Sequence, residues 1–565
     1  MLRNGCHPQI VIGRHMSIVQ RGSETARSVS LFPAAPDALP RLWPVTGPGP
    51  RPPRPARALW RSSAACITAS ALTMIAVAAA GPGAAVPRLP HPPAGPPWQL
   101  PLHPAAWLVT LLLWAAAIAG GAGVLMGLLA VARGARPSAR ALLGFAVLAI
   151  TVLTVLPPAG STDVLDYAAD GRIALLGHSP YVMTPLHLKR LGDPIGQWIP
   201  HAWDTNVSIY GPLATAEEQA AAWVSGTSAA RLAFWLKLPN SLAFAAVALG
   251  LDRMLRSRPD RRLRGHLLWT ANPLLLWLIV AAGHIDGLSA LASFAGIAVL
   301  RVRRHGGAPG VTRALAAGAL IGCAAAVKIP YALSGLGVAW GVRSSPRALA
   351  AAAAGFLAVS VPAYAAAGSP AIAALLSRGQ GMSWYSFYQL FYRPFGYTYF
   401  GITRTPPGLV VLASLAFAGL AALAFLRFPR DAGGFPALAP ALAVSLAWLL
   451  AWPYQRPWYD AMVICLLALY PACRLDWLIL IPVAAETFAE MPGVPSRLPP
   501  VLDDILAGAG DSLVPCIGLA AAVALAWMCL SGSWGWHLRL RSPGPDHPPS
   551  SGSTVTGSFP RRHAA

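Results

Sequence analysis

Two aspartates follow directly after a long apolar stretch, in the segment S-T-D-V-L-D-Y-A-A-D-G-R that begins at Ser161. Asp163 and Asp166 share one face if this segment is helical, because residues three apart are neighbours on a helix. Close carboxylates raise one another's pKa, which makes one of them a candidate general base. The same pair would also suit a divalent cation, or would simply cap a solvated helix. Arg172 follows, and its planar guanidinium suits phosphate.

Lysine is rare in this chain, and two of its three lysines fall in apolar stretches. Lys237 lies in F-W-L-K-L-P-N and Lys328 in A-A-A-V-K-I-P-Y, whereas Lys189 is in a polar segment. A charge inside a membrane is costly unless it is paired, reaches the interface or faces a polar cavity. Snorkelling to the interface would explain Lys328 and in part Lys237. Both lysines also indicate an anionic group on the same side of the membrane.

A polar turn interrupts two apolar stretches in the segment N-P-L-L-L-W-L-I-V-A-A-G-H-I-D-G, which ends at Gly287. His284 and Asp286 lie where the first stretch turns back into the second. A structural turn between helices explains the pattern, but a histidine and an aspartate at a glycine-flanked turn also suit a contact with substrate.

Aromatic residues surround a third polar position, in P-Y-Q-R-P-W-Y-D at residues 453–460. Arg456 lies among these aromatics, with Tyr459 close behind it. The aromatic-rich segment 381–400 is typical of a helix that lies in the membrane interface. An ordinary aromatic belt explains much of it, and a platform for a lipid-linked substrate is the alternative.

The composition indicates that lipid is the solvent for much of the chain. Of 565 residues, 55% are hydrophobic and 11% charged, against roughly 25% charged in a soluble domain. The net charge of +22 comes from 43 basic and 21 acidic residues. The arginines cluster between apolar runs without interleaved aromatics, which favours positive-inside topology over nucleic-acid binding. The seven cysteines form no CxxC pair, so neither a disulfide framework nor a metal cluster is indicated.

The apolar runs predict an all-α, polytopic transmembrane bundle of about 12–14 spans, with large loops outside the cytoplasm. A span needs about 20 apolar residues, and we expect fourteen, near residues 63–80, 106–131, 141–157, 231–250, 267–281, 285–300, 314–327, 330–341, 348–367, 407–426, 436–452, 458–472, 476–490 and 514–531. Residues 1–58 and 532–565 are predicted to be disordered cytoplasmic tails, and 59–531 the membrane domain.

The arginine clusters predict the orientation of this bundle in the plasma membrane. With both termini in the cytoplasm, every dense basic cluster falls on the cytoplasmic side, as the positive-inside rule requires. The long loops then fall on the opposite face, at about 81–105, 158–230, 368–406 and 491–513. Because the candidate chemical residues lie mainly on those loops or at adjoining span ends, we expect the active site to be extracytoplasmic.

The order of these motifs resembles the GT-C superfamily of integral membrane glycosyltransferases. An acidic pair is followed by Y-x-x-x-G-R, G-x-S-P-Y and Y-G-P-L, and then by a lysine-bearing span, G-H-I-D-G and A-V-K-I-P. The closest likeness is to actinobacterial α-mannosyltransferases that use polyprenyl-phosphate mannose. The similarity extends from about Ala141 to Tyr459.

The resemblance implies a sugar transfer, most simply of mannose, from a polyprenyl-phosphate donor to a lipid-linked or cell-wall glycan acceptor. Asp163 or Asp166 matches the family's catalytic base, and the choice stays open because the family shows D-x-D or D-V-Y-S-Y where this chain has D-V-L-D-Y. No cofactor is required, although a divalent metal is compatible. The candidate substrate-binding residues are Tyr167, Arg172, Tyr181, Tyr210, Lys237, His284, Asp286, Lys328, Arg456 and Tyr459.

Two other functions fit a chain of this kind. A transporter or lipid flippase would have internal repeats and charges near the bilayer midplane, whereas this chain has no convincing repeat and its charges lie at span ends. A glycan polymerase or ligase of similar topology is not expected to have the early acidic pair. We therefore favour the transferase.

Overall fold

The computed structural model describes residues 54–90, 94–201, 203–302, 309–378, 381–392, 403–404, 407–430 and 434–535. Most of both predicted tails therefore lies outside the described residues, as do residues 393–400 of the aromatic segment. The helices are α1 (Arg54–Ala80), α2 (Ala106–Ala132), α3 (Ala139–Val155), α4 (Asp163–Leu175), α5 (Pro185–Arg190), α6 (Pro212–Ser225), α7 (Ala229–Met254), α8 (Pro259–Gly265), α9 (Pro273–Leu275), α10 (Asp286–Val299), α11 (Val311–Val327), α12 (Ser334–Val342), α13 (Pro346–Ala367), α14 (Ser369–Arg378), α15 (Gln389–Tyr392), α16 (Pro407–Arg427), α17 (Leu438–Ala451), α18 (Asp460–Leu467), α19 (Leu475–Glu490), α20 (Pro500–Gly508) and α21 (Val514–Ser531).

The remaining regular elements are short. Turns of 3₁₀ helix cover Gly196–Trp198, Ile329–Leu333 and Pro457–Tyr459. Wider π-helical turns cover His266–Thr270, Leu276–Ala281 and Ala509–Leu513. One antiparallel pair joins β1 (Gly381–Met382) to β2 (Thr403–Arg404), with Gly381 opposite Arg404.

The prediction of an all-α polytopic membrane bundle is confirmed. Within the described residues, six helices are long and apolar enough to cross a membrane, or seven if one bent pair is a single span. The bent pair, Pro259–Ala281 with Asp286–Val299, turns by 119° at the Gly283–His284 break. Several other predicted spans are shorter apolar helices of 10–17 residues, including α3, α11 and α17. Each of these three helices ends two or three residues before a proline, at Pro157, Pro330 and Pro453, because the residue before a proline is disfavoured in helical geometry.

Small residues let the helices approach closely. The Ser63 and Ser70 hydroxyls on α1 donate to the carbonyls of Gly123 and Ala116 on α2, at 2.6 and 2.7 Å. A Cβ at Gly318 on α11 would overlap the backbone of α13. Close packing of this kind is how helices associate where the surrounding lipid is as apolar as their side chains.

The segment between α3 and α7 folds into a small helical layer at one end of the bundle, which we call the site end. Helices α4, α5 and α6 lie there, and α4 packs on both α6 and α7. Buried residues of α4, α6 and α7, such as Ile173, Ala222 and Leu232, form a separate apolar cluster. This layer positions the start of α4, where the acidic pair lies.

Candidate functional site

The first residue of α4 is Asp163, at the junction between α3 and the helical layer. Its backbone N–H donates to the Ser161 hydroxyl at 3.1 Å, which fixes the turn into the helix. Burial raises the pKa of the Asp163 carboxyl, and the positive charges of Arg456 and then Lys328 oppose that rise. Arg456 and Lys328 come from distant parts of the chain, yet both act on Asp163. Cations of this kind stabilise negative charge on a ligand beside the carboxylate.

Lys328 follows α11 directly and has extended backbone geometry. Its ammonium lies 2.7 Å from Asp286 Oδ2, and the Tyr331 hydroxyl donates to Asp286 Oδ1 at 3.1 Å. The ammonium also lies 3.9 Å from the ring centroid of Tyr459 and 5.8 Å from that of Tyr210. The lysine is therefore held at the bundle's site end by one carboxylate and two aromatic faces.

Arg456 lies just before the 3₁₀ turn that leads into α18. One guanidinium nitrogen is 3.8 Å from Glu490 Oε2, at the last residue of α19. The Tyr385 hydroxyl donates to the same Glu490 oxygen. The Trp203 and Trp458 rings lie 5.9 and 5.8 Å from the guanidinium carbon. These contacts define the direction in which Arg456 points.

His284 lies at the break between the two arms of the bent pair. The preceding residue, Gly283, has φ of +77°, a conformation that glycine adopts without strain. The imidazole stacks on the Trp458 ring with centroids 3.8 Å apart. Both ring nitrogens are buried and have no hydrogen-bond partner among the described residues. A buried imidazole of this kind is suited to a ligand that supplies the missing hydrogen bonds.

Two tyrosines connect α4 to this cluster. The rings of Tyr167 and Tyr210 meet edge to face, 5.0 Å between centroids, and their hydroxyls are 3.5 Å apart. The negative charge of Asp163 acts on both phenols. The structure thus brings together eight of the predicted site residues, which we call the site cluster: Asp163, Tyr167, Tyr210, His284, Asp286, Lys328, Arg456 and Tyr459.

Three other predicted site residues contact different parts of the helical layer. The Arg172 guanidinium pairs with Asp193 at 2.8 Å. The Tyr181 hydroxyl is 2.8 Å from that of Thr215. Burial and then the charge of Asp170 raise the pKa of Glu218 on α6, and the charges of Glu217 and Asp166 add to that rise. The positive charges of Arg456 and Lys328, by contrast, act on Asp163. The two aspartates, though three residues apart on one helix, thus have different surroundings.

Lys237 is fully buried in α7, where its ammonium donates to three carbonyl oxygens. They belong to Leu153, Leu156 and Pro157, at 2.7, 2.8 and 3.1 Å. These groups lie at the C-terminus of α3, where carbonyls have no partner within the helix. Lys237 therefore caps α3, just before the turn that leads to Asp163.

The sequence interpretation missed Trp458, Tyr331, Tyr385 and Glu490. Glu490 had a usable signal, because an acid at the end of an apolar run is as anomalous as a lysine there. Trp458 lies two residues from Arg456 and is identified from the sequence only as one of the aromatics that surround that arginine. Tyr385 lies in the aromatic-rich segment 381–400, which the sequence singles out only as a whole, and Tyr331 has no signal that distinguishes it from other interfacial tyrosines. Among the residues that the structure describes, no group of three or more His, Cys, Asp and Glu is placed to hold a metal ion.

Part of the chain matches a known family of proteins. Residues 66–344 match the family described as alpha-(1->6)-mannopyranosyltransferase, N-terminal domain. The predicted resemblance to membrane mannosyltransferases of the GT-C type is confirmed. The matched range includes Asp163, His284 and Lys328, whereas Arg456 and Glu490 lie beyond it.

A curated relative gives the same indication. A protein of Mycolicibacterium smegmatis named as a probable alpha-(1->6)-mannopyranosyltransferase is 27% identical over 156 residues. That match covers 27% of this chain and 28% of the relative's length. No solved structure matches the chain.

Proposed function

We propose that this chain is a membrane mannosyltransferase that moves mannose from a polyprenyl-phosphate donor to a lipid-linked or cell-wall glycan acceptor. The observation that carries the proposal is the burial of Asp163 within the electrostatic reach of Arg456 and Lys328. A carboxylate beside two cations supplies both a base for an acceptor hydroxyl and a binding place for the donor phosphate. The match to a mannopyranosyltransferase family supports the choice of sugar.

In the proposed step, the acceptor hydroxyl oxygen attacks C1 of the donor sugar and its proton passes to Asp163. The bond between C1 and the phosphate oxygen breaks, and its electron pair leaves with the polyprenyl phosphate. Attack opposite the leaving group inverts the configuration at C1. Arg456 and Lys328 stabilise the charge that develops on the phosphate. A phosphate monoester leaves readily beside such cations, so the step requires no metal or other cofactor.

The neighbouring groups hold this arrangement in place. Asp286 and Glu490 each contact one of the cations, which limits the directions in which these long side chains point. A cation held in place stabilises the transition state more than a mobile one, because its side chain does not have to reorient as the charge develops. His284, with two unpartnered ring nitrogens beside Trp458, is suited to bind sugar hydroxyls.

We further propose that the site end faces away from the cytoplasm in the plasma membrane. The arginine clusters between spans support this orientation through the positive-inside rule, with both termini in the cytoplasm. The donor and acceptor would then both be reached from the outer leaflet.

Turnover of labelled polyprenyl-phosphate mannose by the purified protein, with a membrane glycolipid extract as acceptor, tests this function. We expect wild type to transfer label and Asp163→Asn to lose about 10²- to 10⁴-fold in rate, which is the usual worth of a general base. Asp166→Asn is the matched control, because it removes a carboxylate three residues away on the same helix. It should keep most of the activity.

Three results would contradict the proposal. Wild type could transfer no sugar from the mannose donor, Asp163→Asn could stay fully active, or Asp166→Asn could be the inactive variant instead. Each variant should first be compared with wild type by thermal unfolding, so that lost activity is not mistaken for lost folding.

A further inference from the structure

Helices α4 and α6 meet through two buried carboxyl groups that the proposed reaction does not use. Asp170 lies on α4 and is 1% exposed, and Glu218 lies on α6 and is fully buried. None of their four carboxyl oxygens has a hydrogen-bond partner among the described residues. Burying an ionised carboxylate without a partner costs so much that the group takes up a proton instead.

The surroundings of this pair are acidic rather than basic. Glu218 is affected by Asp170 and Asp166 on α4 and by Glu217 on its own helix. No cation of the described residues contributes to the pKa of either carboxyl. The nearby arginine of α4, Arg172, is paired with Asp193.

The other polar groups around the pair are hydroxyls. The Ser208 hydroxyl acts on Asp170, although it too is buried without a hydrogen-bond partner among the described residues. The Tyr181 phenol, in the loop after α4, is a neighbour of both carboxyls, and Tyr364 on α13 is in turn a neighbour of Tyr181. Burial raises the pKa of Asp170 to about 7 and that of Glu218 well above its usual range.

Backbone packing makes this contact sensitive to charge. A Cβ at Gly171, next to Asp170, would overlap the carbonyl group of Glu218. The two helix backbones therefore touch where the carboxyls lie, and little space is available for water to enter and solvate a charge. Asp163 begins the same helix about two turns away, so that any separation of α4 from α6 displaces the proposed base.

We propose that Asp170 and Glu218 are positioning residues that stay protonated, and that their neutrality holds α4 on α6 and so keeps Asp163 in place. Ionisation of both carboxyls at higher pH would place two negative charges in the buried contact between α4 and α6, where water cannot solvate them. Because a folded-state pKa above the unfolded value means that the folded form binds the proton more tightly, stability is lost as pH rises toward about 7 for Asp170. The effect on activity rests on the proposed function, whereas the effect on stability does not.

The test compares thermal unfolding and turnover across pH for wild type and the neutral isostere pair Asp170→Asn with Glu218→Gln. Wild type should melt at a lower temperature and lose turnover at alkaline pH. The double variant should lose markedly less of both, with turnover near wild type at acidic pH. Asp503→Asn, at an exposed position of α20, is the control and should follow wild type.

The pH dependence of unfolding tests the role of Asp170 and Glu218 separately from the proposed function. Equal pH dependence of unfolding in wild type and the double variant would overturn the proposal, even for a protein with no measurable turnover. Mg²⁺, Mn²⁺ or Ca²⁺ raising the melting temperature of wild type but not of the double variant would also overturn it, because a cation and not a proton would then hold the pair. A reduced pH dependence of unfolding in a protein that transfers no mannose would support the pair and reject the proposed function alone.

Discussion

Lys328, directly after α11, and Asp286, at the start of α10, form a buried ion pair at 2.7 Å, although 42 positions separate them in the sequence. The Tyr331 hydroxyl donates a second hydrogen bond to this carboxylate, to Asp286 Oδ1 at 3.1 Å. The pair leaves the ammonium over the Tyr459 ring and within reach of Asp163. One contact thus joins two helices and positions a cation of the site.

A mutant cycle on this pair separates stability from function. Lys328→Met and Asp286→Asn singly should each destabilise the protein by about 3–5 kcal/mol, because each leaves a buried group without its partner. The double variant should recover part of that loss and still be inactive, since the cation is absent. Thermal unfolding and turnover measured together check this. Additive destabilisation, or activity in the double variant, would contradict it.

Arg456 should depend on the shape of its side chain as well as on its charge. Arg456→Lys keeps the charge but loses the planar fork that binds phosphate oxygens through two hydrogen bonds. Losing one charge-assisted hydrogen bond costs about 1.5–3 kcal/mol, or roughly 10- to 100-fold in kcat/KM. We therefore expect Arg456→Lys to lower kcat/KM for the polyprenyl-phosphate donor by this factor, measured by steady-state kinetics over a range of donor concentrations. Arg172→Lys, at an arginine that is paired with Asp193, is the control and should be close to wild type.

The acid side of the pH–rate profile should report Asp163. Burial raises the pKa of this carboxyl above its ordinary 3.8, and the positive charge of Arg456 opposes the rise. A base must be ionised to act, so kcat/KM should fall as pH falls through this raised value. Arg456→Gln should move the fall to higher pH, because it removes a charge that favours the carboxylate. A fall at the same pH in both proteins would argue against Asp163 as the base.

Charges in apolar runs were the most informative sequence signal. Lys328 is predicted as a site residue because a membrane protein keeps such a charge only where it is paired or used, whereas Arg456 is chosen for its aromatic neighbours and Asp286 for its glycine-flanked turn. The structure places all three in the site cluster. The helical class followed from the apolar composition for the same reason, since a span must satisfy its own backbone hydrogen bonds.

Partner choice needed the three-dimensional structure. Arg172 and Tyr181 have the residue types that suit a phosphate or sugar, and only the structure shows that they contact Asp193 and Thr215. The pattern of apolar residues also does not predict how many of the spans are long helices. Hydropathy does not distinguish a helix that crosses the membrane from a short apolar helix enclosed by others, such as α17, which is buried along most of its length.

The α4–α6 contact gives a prediction that depends on shape alone. Gly171→Ala should destabilise the protein and lower turnover, because the added methyl group overlaps the Glu218 carbonyl. Gly144→Ala in α3 is the matched control, since a Cβ there meets open space and alanine favours a helix over glycine by about 1 kcal/mol. Thermal unfolding of both variants checks this. Equal stability of the Gly171→Ala and Gly144→Ala variants would contradict the prediction and would show that α6 shifts at little cost to make room for the methyl group.

Lys237 offers a choice between two roles that kinetics can resolve. As a phosphate contact, which its sequence position suggested, its loss would raise the KM for the donor. As the cap of α3, which its three carbonyl contacts indicate, its loss frees the turn that leads to Asp163. Lys237→Met should then lower kcat with little change in KM, because the base is displaced while the phosphate keeps Arg456 and Lys328.

The same change should lower stability by about 1–3 kcal/mol, which is the cost of leaving buried carbonyls without a donor. Lys189→Met, at the third lysine of the chain, is the control for removing a lysine as such and should alter neither property. Steady-state kinetics over a range of donor concentrations, with unfolding measured in parallel, distinguishes the roles. A raised KM at unchanged kcat and stability would return Lys237 to the donor site, and the α3 cap would then be incidental to catalysis.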